Sequence, residues 1–324
     1  MLDALLEDGQ WWVDGVSGTS AGAMNAVALA HGFAHAAKAH KDPQEAHRAG
    51  CELARASLAR LWEGVGAMGS LTWGTPLSPA NPLVGLMSQW LSPYQTNPLG
   101  FNPLRDLLER EVDFQGLCAS HASARTHAAS PVPKVFVCAT NVRTGRGEIF
   151  SGQRLSADAV MASACLPMVF KAVEIDGQHY WDGGYSGNPA LYPLIYETDA
   201  RDILMVQINP IEHLGLPDTA TEIMERMNEV TFNASLLAEL RAIAFVRRLL
   251  ADGKLDANHY KDVLMHRIDG GTLLASLGAD TKSRADLSFL RQLFELGRTA
   301  GKAWMKAHRK DVGVRPSLKI TDNA

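Results

Sequence analysis

Gly18-Thr19-Ser20-Ala21-Gly22 stands between a short strand-like run, Trp11–Val16, and a small-residue segment of helical composition, Ala23–Ala39. A Gly-x-Ser-x-Gly pentapeptide at a strand-to-helix turn is the context in which a serine becomes a nucleophile. The glycines let the backbone reverse tightly, and the turn holds the Ser20 hydroxyl clear of its neighbours. The first turn of the following helix offers free N–H groups and a partial positive charge at the same place, so the Ala21 N–H is a candidate oxyanion donor. The pattern is short and recurs in plain turns, so its context carries the weight.

Upstream, Leu2, Leu5 and Leu6 repeat at helical spacing and Gly9 is a natural stop. Downstream, the chain reads as a second helix over Pro43–Trp62, then a segment holding six of its 15 prolines between Pro76 and Pro103. A helix is expected over Phe101–Val112, a weakly ordered polar stretch over Ala119–Pro133, a buried strand over Lys134–Thr140, and a returning strand ending at Phe150. Ala157–Cys165 reads as a helix stopped by Pro167. Ala172–Ile175 and His179–Trp181 form a hairpin around Asp176-Gly177. Strands at Asp202–Ile208 and Val263–Ile268 alternate with two long helices. One carries Ile223, Met227, Val230, Ala234, Leu237 and Leu240, and the other Leu287, Leu290, Phe294 and Trp304. Strands alternating with helices predict an α/β fold, a three-layer α/β/α arrangement around a central, mostly parallel sheet. Residues 1–324 are read as one domain, with 1–210 the core and 211–324 a C-terminal helical elaboration.

Composition bounds the function. The 324 residues carry a formal charge of −4 and 46% apolar side chains. That is a globular balance, without the basic excess that marks a nucleic-acid binder. No apolar run approaches the ~18 residues of a membrane helix, and the acidic N-terminus lacks the basic-then-apolar order of a secretory signal. Cys51, Cys118, Cys138 and Cys165 show no CxxC spacing, so free thiols in a reducing, cytoplasmic setting are expected.

A second chemical feature is Trp181-Asp182-Gly183-Gly184, a carboxylate at a strand end followed by two glycines that allow close backbone approach. Alone it reads as an Asp-Gly turn. A histidine-based triad on an α/β-hydrolase fold would need several strands ahead of the elbow, and only 19 residues precede Ser20.

Together the two motifs resemble the patatin-like phospholipase family. Asp14-Gly15-Val16-Ser17 before the elbow, Ala162-Ser163-Ala164-Cys165-Leu166-Pro167 with Phe170, and Asn188-Pro189 agree with it, over about Met1–Asp202. The resemblance implies a Ser–Asp dyad without histidine. Ser20 would be the nucleophile and Asp182 the base, with Gly18, Ala21, Gly22, Gly183 and Gly184 as motif and oxyanion support. The activity implied is hydrolysis of lipid acyl esters through an acyl-enzyme, with no cofactor and no metal. It also implies an upstream strand and a glycine-rich, arginine-bearing loop that this sequence does not show. The chain is therefore expected to be N-terminally truncated, or else an impaired scaffold with a binding or regulatory role.

Other features are set lower. His31 and His35, with His40 and His47 nearby, lack an HExxH glutamate and read as a solvated face. Gly64-Val65-Gly66-Ala67-Met68-Gly69 lacks the Lys-Ser/Thr ending of a phosphate loop and reads as an ordinary loop. The Pro76–Pro103 segment, with Trp73, Trp90 and Tyr94, reads as a surface loop, with a lid over the site as the alternative. Met224 and Met227 read as core. The basic end Lys302, Lys306, His308, Arg309 and Lys310 reads as a solvated helix end, with peripheral contact to a lipid surface as the alternative.

Overall fold

Alanine favours helix and leaves a small footprint, so the run after the elbow folds as a helix that is buried on nearly every side. This helix, α2 (Ala21–Ala39), buries Ala23, Met24, Ala26, Val27, Ala28, Leu29, Ala30 and Phe33 among others. It crosses α3 (Pro43–Thr72) backbone to backbone: a Cβ on Gly32 would lie 2.2 Å from the Ala54 nitrogen. In this computed structural model the described residues are 1–72, 94, 102–124, 132–167, 169–208, 211–212, 215–271 and 284–320. The Pro76–Pro103 segment falls outside them except for Tyr94, Asn102 and Pro103.

α1 (Leu2–Asp8) ends at Gly9 in the left-handed conformation, φ 67°. β1 is Gly15–Gly18, later and shorter than the expected Trp11–Val16. The tryptophans are held by other rings instead of a ladder: Trp12 stacks on His47 at 4.1 Å, and Trp11 lies 6.1 Å from Trp304. α4 (Pro103–Glu111) is capped by Asn102. α5 (Phe114–Ala124) occupies part of the stretch expected to be weakly ordered. β2 (Lys134–Asn141), β3 (Gly147–Phe150), α6 (Ala157–Ser163), and the hairpin β4 (Val173–Ile175) and β5 (Gln178–Asp182) follow.

β2 is the hub of the five-stranded sheet. Val137 pairs with both Gly18 and Phe150, and Ala139 with both Glu148 and Asp182. A strand has two edges and β3 runs along one of them, so β1 and β5 share the other. They approach end to end, β1 parallel to β2 and β5 antiparallel, and they meet beside Cys138. Two strand ends remote in sequence are thereby delivered to one point.

A second, two-stranded parallel sheet pairs β6 (Asp202–Gln207) with β7 (Leu264–Asp269). Side chains alternate across it. Ile203, Met205 and Met265 pack with Leu236, Leu240 and Ile243 of α8 (Ala220–Ala251), with Leu191 just ahead of α7 (Tyr192–Glu197) completing the cluster. On the other face Leu204 and Ile268 pack with α1 and with Trp304 and Met305 of α9 (Leu287–His308). Ion pairs reinforce this side: Asp3 and Glu7 of α1 meet Arg55 of α3 and Arg298 of α9. The α/β fold with helical layers on both faces is present. Its strands are mixed in direction, parallel in β1–β2 and β6–β7 and antiparallel in the other three pairings.

Two expectations are corrected. Gly64–Gly69 is not a loop but the last part of α3, and its glycines are packing contacts. A Cβ on Gly64 would lie 2.6 Å from Leu107 and one on Gly69 2.4 Å from the Ala285 carbonyl. The Met224–Met227 stretch of α8 is not core: both side chains are 59% exposed, as are much of Ile223 and Val230. The buried face is instead Glu229, Asn233, Leu236, Leu240 and Ile243. Two stripes on one helix satisfy the 3.6-residue period, and the sheet beneath selects the second.

Candidate active site

Ser20 is held at φ 56° and ψ −121°, between the end of β1 and the first turn of α2. A side chain disfavours that region, at a cost of about 1–3 kcal/mol, so the surroundings must over-determine it. They do. The Thr19 hydroxyl donates to the Gly187 carbonyl at 2.6 Å, and the Ser17 hydroxyl to that of Ala190 at 2.6 Å. The Gly22 N–H donates to the Thr19 carbonyl at 2.8 Å and the Ala23 N–H to that of Ser20 at 3.0 Å. The Ser20 N–H donates to the hydroxyl of Ser163 at 2.9 Å. Gly18 is required for steric reasons, since a Cβ there would lie 2.2 Å from the Gly22 carbonyl oxygen. Gly22 differs: a Cβ on it meets nothing within 4 Å among the described residues. The Ala21 N–H, at the N-terminus of a 19-residue helix, has no acceptor among the described residues.

Asp182 ends β5, and the chain then enters a single 3₁₀ turn, Gly183–Tyr185. Gly183 lies against both β2 and the elbow: a Cβ there would be 2.1 Å from the Cys138 carbonyl oxygen and 2.9 Å from Thr19 Cγ2. The carboxyl of Asp182 is 1% exposed. Its backbone N–H donates to the Cys165 carbonyl at 2.8 Å, and its Oδ1 accepts the Gly184 N–H at 2.7 Å. Oδ2 is buried and makes no full hydrogen bond. Burial pushes this carboxyl's pKa up to about 6, against the opposing pull of the Gly184 N–H and the nearby Ser20 hydroxyl. A buried acceptor without a donor is costly and uncommon, and such sites are where function concentrates.

The structure therefore brings Ser20, Gly18, Ala21 and Gly22 together with Asp182, Gly183 and Gly184, which lie 162 residues away in the sequence. It adds one residue from outside the motifs and gives roles to two within them. Phe232 of α8 lies against Gly184, and its ring meets that of Tyr185 edge to face at 5.1 Å. Thr19 and Ser163 are tethers of the elbow. All four cysteines are free thiols, and burial raises Cys138 to about 12 and Cys165 to about 11. His31 accepts the Asp113 N–H and lies 4.5 Å from the His35 ring. A Ser–His–Asp chain does occur elsewhere. His266 contacts Asp202 at 2.9 Å and Ser317 at 3.0 Å. The neighbouring backbone donors are committed, Gly313 to Asp202, Ser317 to His266 and Leu318 to Met265, so this chain staples the C-terminal segment to the β6–β7 sheet.

The elbow and the buried carboxylate lie side by side on an α/β scaffold. A family model described as Patatin-like phospholipase matches residues 2–195, more than half of the chain, and the protein belongs to that family. Membership makes it, by class, a hydrolase acting on lipid acyl esters. No curated protein matches the chain.

Proposed function

We propose that this protein cleaves carboxylic esters of lipids through a Ser20–Asp182 dyad and an acyl-enzyme. The observation that carries the proposal is the free, buried Oδ2 of Asp182 beside a strained Ser20. With Oδ1 committed to Gly184, Oδ2 is the oxygen left to take the serine proton. A pKa near 6 leaves Asp182 ionised at neutral pH yet makes it a better base than an ordinary carboxylate. Ser20 Oγ attacks the ester carbonyl carbon as its proton moves to Asp182. The oxyanion that forms meets the Ala21 N–H and the positive end of α2. The alcohol leaves with the proton from Asp182. Asp182 then draws a proton from water as the water oxygen attacks the acyl-Ser20 carbonyl; the acyl–Oγ bond breaks, the fatty acid leaves, and Asp182 returns the proton to Ser20 Oγ. This cycle uses no metal and no cofactor. In the same reading 1–210 forms the catalytic core of one domain, and 211–324 is an elaboration that supports it through Phe232.

The test is labelling of the full chain with a fluorophosphonate. Ser20 Oγ would bond to phosphorus, fluoride would leave, and the hydroxyl proton would pass to Asp182. One adduct, mapped to Ser20 and lost in Ser20→Ala, is expected. Labelling that persists in Ser20→Ala, or none on a folded chain, refutes the dyad.

A further inference from the structure

The segment Ala162-Ser163-Ala164-Cys165 takes no chemical part in the reaction proposed above, yet it touches both of its residues. Ser163 closes α6 and is 0% exposed. Its Oγ accepts the Ser20 N–H at 2.9 Å across 143 residues of sequence. Two positions on, the Cys165 carbonyl accepts the Asp182 N–H at 2.8 Å. The helix carrying these acceptors is itself fixed. Ala159, Val160, Met161 and Ala162 are buried, the Ser156 hydroxyl caps its start, and Arg105 grips Asp158 at 2.7 Å.

We infer that the C-terminal end of α6 is a bracket that sets the separation of Ser20 and Asp182, with Ser163 as the positioning residue for the nucleophile. The inference rests on the dyad reading. Its physical basis is that the Ser20 amide points away from its own turn. The Thr19 carbonyl belongs to the same trans peptide unit and points the opposite way, into the elbow, where it accepts from Gly22. The Ser163 hydroxyl is the acceptor that remains, and it holds the peptide in a conformation a side chain would otherwise leave. Without it the Ser20 peptide rotates to find another acceptor, and Oγ moves relative to Oδ2 of Asp182. Ser163 is buried behind the elbow and does not face substrate, so its loss acts on acylation and not on substrate affinity.

The experiment compares the full chain with Ser163→Ala, Ser163→Cys, Ser163→Thr and Ser20→Ala. It measures the fluorophosphonate labelling rate, kcat and KM on a short p-nitrophenyl ester, and a thermal melt for each. Ser163→Ala is expected to slow labelling and kcat about 10–100-fold, the scale of an ångström-sized misplacement, with KM within about twofold. Ser163→Thr keeps the oxygen and recovers most of the rate, while Ser163→Cys, a poorer acceptor of similar size, falls between. A folded Ser163→Ala as fast as the parent overturns the inference. So does equal slowing in all three variants, which would mean that volume and not the acceptor matters. Should Ser163→Ala not fold, a Ser163→Cys variant with parental kcat overturns it alone. Labelling that survives Ser20→Ala refutes the dyad itself, so the two failures are distinguishable.

Discussion

Replacing Asp182 with asparagine is predicted to stabilise the fold while removing the activity. The wild-type carboxyl is buried, its pKa is pushed up to about 6, and one of its oxygens lacks a donor. In the unfolded chain it would ionise near its ordinary value of 3.8. The native state therefore holds its proton over a pH range in which the unfolded state has released it. Below about pH 3 both states are protonated, and Asp182 carries no electrostatic penalty. As pH rises through about 6 the native carboxyl must ionise in a buried site, and the penalty reaches its full size. Two pKa units at about 1.4 kcal/mol each amount to about 3 kcal/mol. Asparagine keeps the Oδ1 acceptor for the Gly184 N–H and replaces the bare Oδ2 with a donor that can reach the Ser20 hydroxyl. It removes the penalty with little change of shape. Denaturant melts of parent and Asp182→Asn at pH 4, 6 and 8 should show a stability gain that is small at pH 4 and largest at pH 8. Ester hydrolysis by the same variant should fall about 10²–10⁴-fold, the contribution of a general base. A variant less stable than the parent at pH 8, or a gain equal at pH 4 and pH 8, would refute the claim that a buried, raised-pKa carboxylate sits there.

Three further outcomes follow from the same geometry. The pH–rate profile of the parent should fall about tenfold per pH unit below about pH 6, as the base becomes protonated; a profile flat to pH 5 would count against Asp182 as the base. Gly183→Ala should lower stability and activity together, because its Cβ would lie 2.1 Å from the Cys138 carbonyl oxygen on the hub strand; a parental melt and rate would mean that the strand ends do not meet there. Leu240→Ala should cost about 2–5 kcal/mol as a core truncation, while Met227→Gln stays within about 0.5 kcal/mol, measured by denaturant melts. Similar costs for the two would mean that α8 is rotated from the position described.

Much of the candidate site was legible because its signals are local. A glycine two residues before the serine is demanded by the turn itself, as the Gly18–Gly22 approach shows. The Asp176-Gly177 hairpin, with both residues at positive φ, was readable for the same reason. So were the stops of α1 at Gly9 and of α6 ahead of Pro167. The glycines of Gly64–Gly69 misled because glycine serves equally in loops and in close helix packing. Only the partners, Leu107 and the Ala285 backbone, tell the two apart. Periodicity likewise announced an amphipathic α8 but offered two stripes. The choice was made by the β6–β7 sheet, to which Leu236, Leu240 and Ile243 are presented.

From its residues alone the chain determined that Ser20 sits on a strand-to-helix elbow, that Asp182 ends a strand ahead of two glycines, and that helices and strands alternate. These are properties of a few neighbouring residues, set by sterics and backbone hydrogen bonding. The tertiary structure decided that β1 and β5 meet end to end on one edge of β2, that the end of α6 accepts an N–H from both Ser20 and Asp182, and that one carboxylate oxygen is left bare. Each of these depends on which edges and acceptors remain after the other strands and helices have packed. No local pattern carries that information.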